Sequence, residues 1–251
     1  HDRTATTTKG LIAWYLGRPG FVGGPQVYDV TGRFHGTLTS GAAWGLSTRP
    51  DPPYVLRFDG STAYVTIAAH ADLEPPARTV ALWITANAGG PDYQALVGFQ
   101  HATDAFNLFF HGNAGFSLSV YFTTTSGTNA LDTPGGIVLS PNVRTHVAAT
   151  FEAGLLQTYV NCQPSQSLAH SGTLVASGTP LLLGASNSPI ANFWGGAQED
   201  VRIFNRRLQQ AELCAVMRQP PAQLFLTAQA QHTGMVQALL KGLFFHFMRK
   251  Q

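Results

Sequence analysis

The acidic residues are the first candidates for chemistry, because hydrolysis of a glycosidic bond on a strand-rich scaffold needs two carboxyl groups that share one face of a strand. The chain has four glutamates: Glu74, Glu152, Glu199 and Glu212. Only Glu74 has an acid two or four residues away, Asp72, and that pair lies in a proline-flanked loop. Glu199 and Asp200 are adjacent and would point to opposite faces of a strand. This spacing argues against a two-carboxylate hydrolase, and we expect a protein that is not an enzyme.

The histidines, serines and cysteines form no familiar reactive group. The nine histidines lack HExxH and HxH spacings, and no serine stands in the Gly-x-Ser-x-Gly setting of a nucleophile between a strand and a helix. Cys162 and Cys214 lack the spacing of a metal knuckle. A single bridge between them is possible, but the sequence favours two free thiols.

Aromatic and amide side chains could instead bind a sugar, which needs an exposed aromatic platform with polar neighbours. Suitable residues lie in or near predicted loops: Tyr93, His101, His111, Asn113, Asn187, Asn192, Phe193 and Trp194. Our candidate glycan-binding residues are Tyr93, His111, Asn113 and Trp194. The alternative for Trp194 is that it packs into the core, and large apolar rings favour that position.

The elements that must position these residues are strands. Apolar runs of four to eight residues, separated by Gly, Pro, Asn and Ser, dominate between residues 11 and 204. In the clearest run, the odd-numbered residues from 143 to 151 share one face and the even-numbered ones share the other. Eleven or more such strands without intervening helices predict two stacked antiparallel sheets, not a parallel α/β sheet.

Charge is scarce and unevenly distributed. Charged residues make up 11% of the chain, against a usual quarter, so the surface must be rich in Thr, Ser, Asn, Gln and Gly. Residues 1–213 contain thirteen acidic and eleven basic residues, whereas residues 214–251 contain four basic residues and no acidic one. Without a Lys/Arg stripe in the strand-rich part, binding to nucleic acid is not expected. No apolar run reaches the ~18 residues of a membrane span.

Seven segments in order along the chain resemble one family. They are GLIAWYL (10–16), DVTGRFHGTLTSG (29–41), LRFDGSTAYVTI (56–67), TVALWI (79–84), RTHVAATFEAGLLQTYVN (144–161), PLLLGASNS (180–188) and EDVRIFNRRLQQAEL (199–213). Together they resemble the LamG-like jelly roll of the concanavalin A-like lectin/glucanase sandwiches over about residues 10–213. One departure is visible: Cys162 follows Asn161 where the family usually has Asn-Gly. Because cysteine tolerates positive φ poorly, we expect a different turn there.

The resemblance implies an all-β, two-sheet antiparallel jelly-roll sandwich and one structural calcium ion. Its ligands would be Asp29, Asp59 and Asp200, each at a junction of loop and strand. The alternative for Asp29 and Asp59 is that their carboxylates form turns with nearby backbone N–H groups. His35 and His146 match histidines of the family and are expected to be structural.

The stretch EDVRIFNRRLQQAEL predicts the closing strand of the sandwich, with Val201 and Ile203 on one face and Arg202 and Phe204 on the other. A helical stub from Leu208 to Leu213 would then cover the sheet edge. The expected organisation is an N-terminal arm (1–9), a jelly-roll domain (10–213) and a C-terminal extension (214–251).

The extension contains an amphipathic helix at about 235–248, since six large apolar residues fall on one helical stripe. These candidate docking residues are Val236, Leu239, Leu240, Leu243, Phe244 and Phe247. Such a helix is marginal by itself and needs a surface to lie on.

These features favour an interaction module without enzymatic activity, a structural or decoration component of a cell-surface or virion assembly that docks on neighbouring subunits through its tail. The alternatives are a calcium-dependent, lectin-type carbohydrate-binding module and, less favoured, a glycoside hydrolase. Contact of the tail with a lipid surface is a further, weaker alternative. The expected location is extracellular, at a cell surface or in a virion.

Overall fold

The computed structural model describes residues 8–19, 25–39, 41–46, 54–100, 106–112, 115–132, 136–152 and 154–219. Within these residues the chain forms sixteen strands, one short 3-10 helix and one α-helix. The strands are β1 (Leu11–Pro19), β2 (Gln26–Asp29), β3 (Gly36–Thr39), β4 (Ala43–Leu46), β5 (Tyr54–Asp59), β6 (Tyr64–Ile67), β7 (Arg78–Ala86), β8 (Gln94–Phe99), β9 (Phe106–Phe110), β10 (Leu118–Thr124), β11 (Gly127–Leu131), β12 (Thr145–Glu152), β13 (Leu155–Val160), β14 (Gln163–Ala169), β15 (Leu181–Leu183) and β16 (Gly195–Phe204). The 3-10 helix is Ala71–Leu73, and the α-helix, α1, is Gln210–Arg218.

The strands form two antiparallel layers around one core. The hydrogen-bonded order is β11-β10-β9-β8-β15-β6-β3-β2-β1-β16-β7-β12-β13-β14, with β4 and β5 attached to β16. The first layer includes β6, β8, β9, β10 and β15. It shares a single hydrophobic core with the second layer, which includes β1, β5, β7, β12, β13 and β16. The continuous ladder therefore folds over on itself, and the predicted jelly-roll sandwich is confirmed.

Alternation along β12 shows how the sequence selects the inner face. Val147, Ala149 and Phe151 lie in the main core, as the odd-numbered face predicted, while Ala148 belongs to a second cluster on the other side of the sheet. Val143, placed on the same face by the pattern, precedes the strand and is exposed.

The longest strand, β16, holds the second layer together. Its first half pairs with β5 and β7, and its second half pairs with β1 and β7. The change of partner coincides with a bulge at Asp200, whose φ is +53°. Val201 and Ile203 face the main core and Phe204 faces α1, as the closing-strand pattern predicted.

Helix α1 covers the outer face of the second layer. Leu208, Leu213 and Val216 are buried against Ala81, Ala148, Tyr159 and Phe204. The helix runs to Arg218, five residues beyond the predicted stub. Glu212 stabilises its start, because its carboxylate accepts from the Gln209 N–H and pairs with Arg206.

The expectation of free thiols is wrong. Cys162 and Cys214 form a disulfide with their Cα atoms 5.1 Å apart. Cys162 lies in the turn between β13 and β14, and Cys214 lies on α1, which packs over that turn. The expected change of turn type is also wrong, because Asn161 and Cys162 both adopt positive φ (49° and 60°) in a two-residue hairpin turn. Burial and the disulfide hold Cys162 in this conformation.

Beside α1, the same outer face carries a layer of charged and aromatic side chains. The Arg144 guanidinium lies 3.6 Å from the centre of the Trp83 ring and pairs with Glu199. His146 packs edge-on against Trp83 at 5.2 Å and is 2% exposed. Its Nδ1 has no hydrogen-bond partner among the described residues. Burial lowers the pKa of His146 to about 3, and the charges of Arg202 and Arg144 act in the same direction. His146 is therefore a neutral packing residue.

The chain divides into two compact units, His1–Arg218 and Gln219–Gln251. The first unit includes the whole of α1. The predicted helix at 235–248 and its six docking residues lie outside the described residues. None of the helices in the described part of the chain has the length and hydropathy that crossing a membrane requires.

Replacing both cysteines (C162A/C214A) is expected to lower the free energy of unfolding by about 2–4 kcal/mol, because the bridge joins residues 52 apart and restricts the unfolded chain. Urea unfolding measures the change. A reductant should destabilise the wild type and leave the double variant unaffected. Equal unfolding midpoints for the two proteins would show that the bridge contributes nothing.

Acid should destabilise the protein through His146. An unfolded histidine takes up a proton near pH 6.5, so the unfolded state binds more protons below this pH, and stability falls as the pH drops from about 6.5 towards 3. His146→Leu is expected to flatten the dependence of unfolding free energy on pH by about 1.4 kcal/mol per pH unit in this window. The exposed His70, changed to Gln, serves as the control. The assignment fails if the slope of His146→Leu equals that of the wild type.

Candidate functional site

A cleft of about 200 Å³ lies at one end of the first layer, lined by Tyr93, Phe109, Tyr121 and Asn192. The start of β8, the end of β9, the start of β10 and the end of β11 meet at this end of the antiparallel sheet. Leu108, Phe110, Val120 and Phe122 point into the core. The residues between them, Phe109 and Tyr121, therefore project from the opposite face.

Two residues whose backbone is in the left-handed region of φ and ψ lie at the rim of the cleft. Tyr93 (φ +60°) immediately precedes β8, and Asn192 (φ +55°) precedes β16. The Ala95 N–H donates to the Asn192 carbonyl at 2.7 Å, which ties the two segments together. A left-handed tyrosine costs free energy, and such strained residues concentrate at functional sites.

Gln94 anchors the loop that carries Tyr93. Its Oε1 accepts from the Gly195 N–H at 2.9 Å, and its Nε2 donates to the Pro91 carbonyl at 2.9 Å. A Cβ at Gly112 would lie 2.3 Å from the Gly90 carbonyl oxygen, so only glycine permits this close approach of the two loops. The approach brings Asp92 beside His111.

Three aromatic rings form the wall of the cleft. Tyr93, Phe109 and Tyr121 contact one another edge to face, with ring centres 5.6 to 6.2 Å apart. The His111 ring lies 4.7 Å from Tyr93. Tyr93 is 40% exposed, whereas Phe109 is buried. Tyr93 thus presents aromatic surface to solvent on a rigid support.

Asp132 is the polar centre of the site. Its Oδ2 accepts hydrogen bonds from the hydroxyls of Tyr93, at 3.0 Å, and Tyr121. Its Oδ1 lies 3.0 Å from Nε2 of His111, and that nitrogen also bonds to Ser119 Oγ at 2.9 Å. Nδ1 of His111 lies 3.7 Å from Oδ1 of Asp92. Burial, followed by the hydrogen bonds to Asp132 and Tyr93, raises the pKa of Tyr121, so this phenol remains a donor at neutral pH.

This arrangement suits a polyhydroxylated ring. An aromatic face provides apolar contact area, and a few polar groups fix the orientation of the ligand. Here Asp132, Asp92 and Asn192 carry acceptor oxygens, and the phenol oxygens of Tyr93 and Tyr121 can also accept, because each donates its single hydrogen to Asp132.

The structure brings together only part of the predicted platform. Tyr93 and His111 are in contact, and Asn113 lies outside the described residues. The proposal that Trp194 is an exposed platform residue is wrong: it is 0% exposed and packs edge-on against Phe110, so the core interpretation holds. Sequence reasoning missed Phe109, Tyr121 and Asp132. The alternation of its strand could have indicated that Tyr121 faces outward. The strand pairing that places Tyr121 beside Tyr93 cannot be read from the sequence.

Asp29 and Asp59 act as turn-formers, as the alternative interpretation predicted. Asp29 Oδ1 accepts from the N–H groups of Trp14 and Thr31, and its Oδ2 accepts from those of Arg33 and Phe34 at 3.0 to 3.1 Å. Asp59 Oδ1 accepts from three successive N–H groups, those of Ser61, Thr62 and Ala63, at 2.8 to 2.9 Å.

Asp200 is also fully engaged. Arg202 donates to its Oδ1 at 2.8 Å and to its Oδ2 at 3.0 Å, and the Trp14 indole N–H also donates to Oδ1. A calcium ion at any of the three aspartates would displace these donors. No group of three His, Cys, Asp or Glu side chains within the described ranges could hold a metal ion. The three aspartates thus bond to donors of the protein itself, and calcium binding stays a prediction.

The chain matches a laminin G family model, described as the concanavalin A-like lectin/glucanases superfamily, over residues 59–214. No curated protein matches it. Similar solved structures include domain 4 of AbnA, a GH43 extracellular arabinanase from Geobacillus stearothermophilus, in complex with arabinotriose. That domain has a TM-score of 0.65 and 14% identity, and the match covers 83% of this chain and 98% of that one.

Two further structures share the fold. A Trypanosoma rangeli sialidase in complex with 2,3-difluorosialic acid has a TM-score of 0.60 and 17% identity; the match covers 84% of this chain but 33% of the sialidase, so this chain spans about a third of that protein. The binding domain of Paraclostridial Mosquitocidal Protein 1 has a TM-score of 0.63 and 12% identity, with 84% and 52% of the chains covered. Fold and family together establish that the chain belongs to the laminin G family of the concanavalin A-like lectin/glucanases superfamily.

Proposed function

We propose that this chain is a carbohydrate-binding module without catalytic activity, and that the cleft at Tyr93 is its binding site. The observation that carries the proposal is the exposed ring of Tyr93, held by Phe109 and Tyr121 and bordered by the carboxylate of Asp132. An apolar surface flanked by fixed hydrogen-bonding groups matches the alternating CH and OH groups of a pyranose or furanose ring.

The rigidity of the site supports binding to a preformed surface. The three rings brace one another, Asp132 joins two of them, and Gln94 fixes the loop. A rigid site loses little side-chain entropy when a ligand binds. Two of the structurally similar proteins were solved with saccharide ligands, which is consistent with this role.

The roles of the glutamates support a function in binding. Glu199 is buried and pairs with Arg144, Glu212 pairs with Arg206, and Glu74 accepts the N–H groups of Ser177 and Gly178. Glu152 ends β12 in the second layer. At the cleft, Asp132 accepts two phenol hydrogen bonds and Asp92 lies beside His111. We therefore assign the carboxylates of the cleft to ligand contact.

An assembly role remains a second candidate, supported by the sequence of the tail. Residues 214–251 carry four basic and no acidic residues and contain the apolar stripe of Val236 to Phe247. Under this proposal the stripe docks on neighbouring subunits and presents the binding module on a larger particle. The disulfide supports a location in an oxidising compartment, such as the extracellular space.

Tyr93→Ala is expected to weaken binding to oligosaccharides by about tenfold or more, because the aromatic contact surface is lost. Titration calorimetry against a panel of oligosaccharides measures the affinity. Tyr54→Ala is a matched control, since Tyr54 is 37% exposed and lies on β5, away from the cleft lining. If the two variants bind equally, the cleft is not the site. Release of reducing ends from any bound oligosaccharide would contradict the absence of catalysis.

Deleting residues 222–251 is expected to reduce the native particle to single chains without lowering the Tm of the sandwich. Light scattering after size exclusion measures the mass, and L240S/F244S in the full chain tests the apolar stripe alone. If the full-length and truncated proteins have the same oligomeric state, the assembly role is contradicted. That result would not bear on the proposed glycan site.

A further inference from the structure

We infer that the cleft takes an amino sugar, a saccharide with a protonated amine, and disfavours saccharides with carboxylate or sulfate groups. The inference rests on the proposed function, because it names the class of ligand for the same cleft. It follows from the charge of the segments that build the cleft and from the position of the two carboxylates.

The segments that form the cleft contain no basic side chain. Residues 79–143 include three aspartates, Asp92, Asp104 and Asp132, and no Lys or Arg, and the loop 184–196 that supplies Asn192 has no charged residue. Proteins recognise carboxylates and sulfates mainly through Arg and Lys. The arginines closest in the sequence are engaged elsewhere: Arg78 donates to the Pro75 carbonyl, and Arg144 pairs with Glu199. These segments would therefore place carboxylates, and no basic side chain, near a bound acidic sugar.

Two carboxylates lie beside His111 at the cleft. Asp92 and Asp132 flank the two nitrogens of this ring at 3.7 and 3.0 Å. Among the described residues the cluster thus holds two carboxylates beside one imidazole. Partial burial strengthens its attraction for a cation relative to bulk water.

The aromatic wall and the Asp132 carboxylate favour an ammonium group in particular. The side chains of Asp92 and Asp132 are 31% and 27% exposed, so a ligand can approach both from solvent, although Oδ1 of Asp132 is itself buried 3.0 Å from His111 Nε2. An ammonium group carries three donors and no acceptor, so it can bond to this carboxylate without an unfavourable contact. The face of Tyr93 adds a cation–π interaction. An N-acetylated or hydroxylated sugar would keep the ring contact and lose both charge interactions.

The test compares three oligosaccharides of equal length with the full chain: a glucosamine oligomer, its N-acetylated counterpart and an oligogalacturonate. At low ionic strength and mildly acidic pH, we expect the glucosamine oligomer to bind about tenfold tighter than the N-acetylated one. The preference should fall as salt is added. The oligogalacturonate should bind most weakly.

Asp92→Asn and Asp132→Asn should each reduce the preference for the amine, whereas Glu152→Gln, which removes one exposed charge from the second layer, should retain it. Asp92→Asn is included because Asp132 also holds the two tyrosines. Equal affinities for the glucosamine and N-acetylated oligomers, or tighter binding of the galacturonate, would overturn the inference and leave the glycan site standing. Failure of all three oligomers and of a broad neutral panel to bind would overturn the proposed function itself.

Discussion

The buried ion pair between Asp200 and Arg202 is the constraint on which the second layer depends. It lies at the bulge of β16, where the strand changes its partner from β5 to β1. The Trp14 indole N–H donates to the same carboxylate, and the Arg202 guanidinium lies over the Trp14 ring, so β1 is joined to the bulge by side chains as well as by its ladder. Removing either charged partner would leave the other buried without compensation, which is strongly destabilising. The bulge allows one strand to serve three neighbours.

The position of β16 also links the scaffold to the cleft. The strand begins at Gly195, directly after the buried Trp194 and three residues after Asn192. Trp194 packs against Phe110 of β9, and the Gly195 N–H bonds to Gln94, the residue next to Tyr93. The second layer is thereby fastened to the end of the first layer where the cleft lies. Trp194, a candidate glycan-binding residue in the sequence, instead packs in the core and supports the segment that carries Tyr93.

The cleft is a consequence of strand alternation in the first layer. Once Leu108, Phe110, Val120 and Phe122 are buried in the core, Phe109 and Tyr121 must face outward. Exposed apolar rings would ordinarily be unfavourable on this face. Here they pack on one another and on Tyr93, and the hydroxyls of both tyrosines bond to Asp132. The same aromatic cluster that stabilises the outer face provides the surface that we propose to contact a sugar.

The sequence by itself determined the sandwich. The alternation of apolar and polar residues and the order of the turn residues are local patterns, and they can be read without knowing which strands pair. The closing strand, the buried Leu208 and Leu213, and the turn-forming roles of Asp29 and Asp59 all follow from such signals. Contacts between distant segments were decided only by the tertiary structure. The approach of α1 to the hairpin turn made the Cys162–Cys214 bridge, and strand register brought Tyr121 and Asp132 to Tyr93. Register and helix docking depend on how whole layers pack, and no short stretch of sequence encodes that packing.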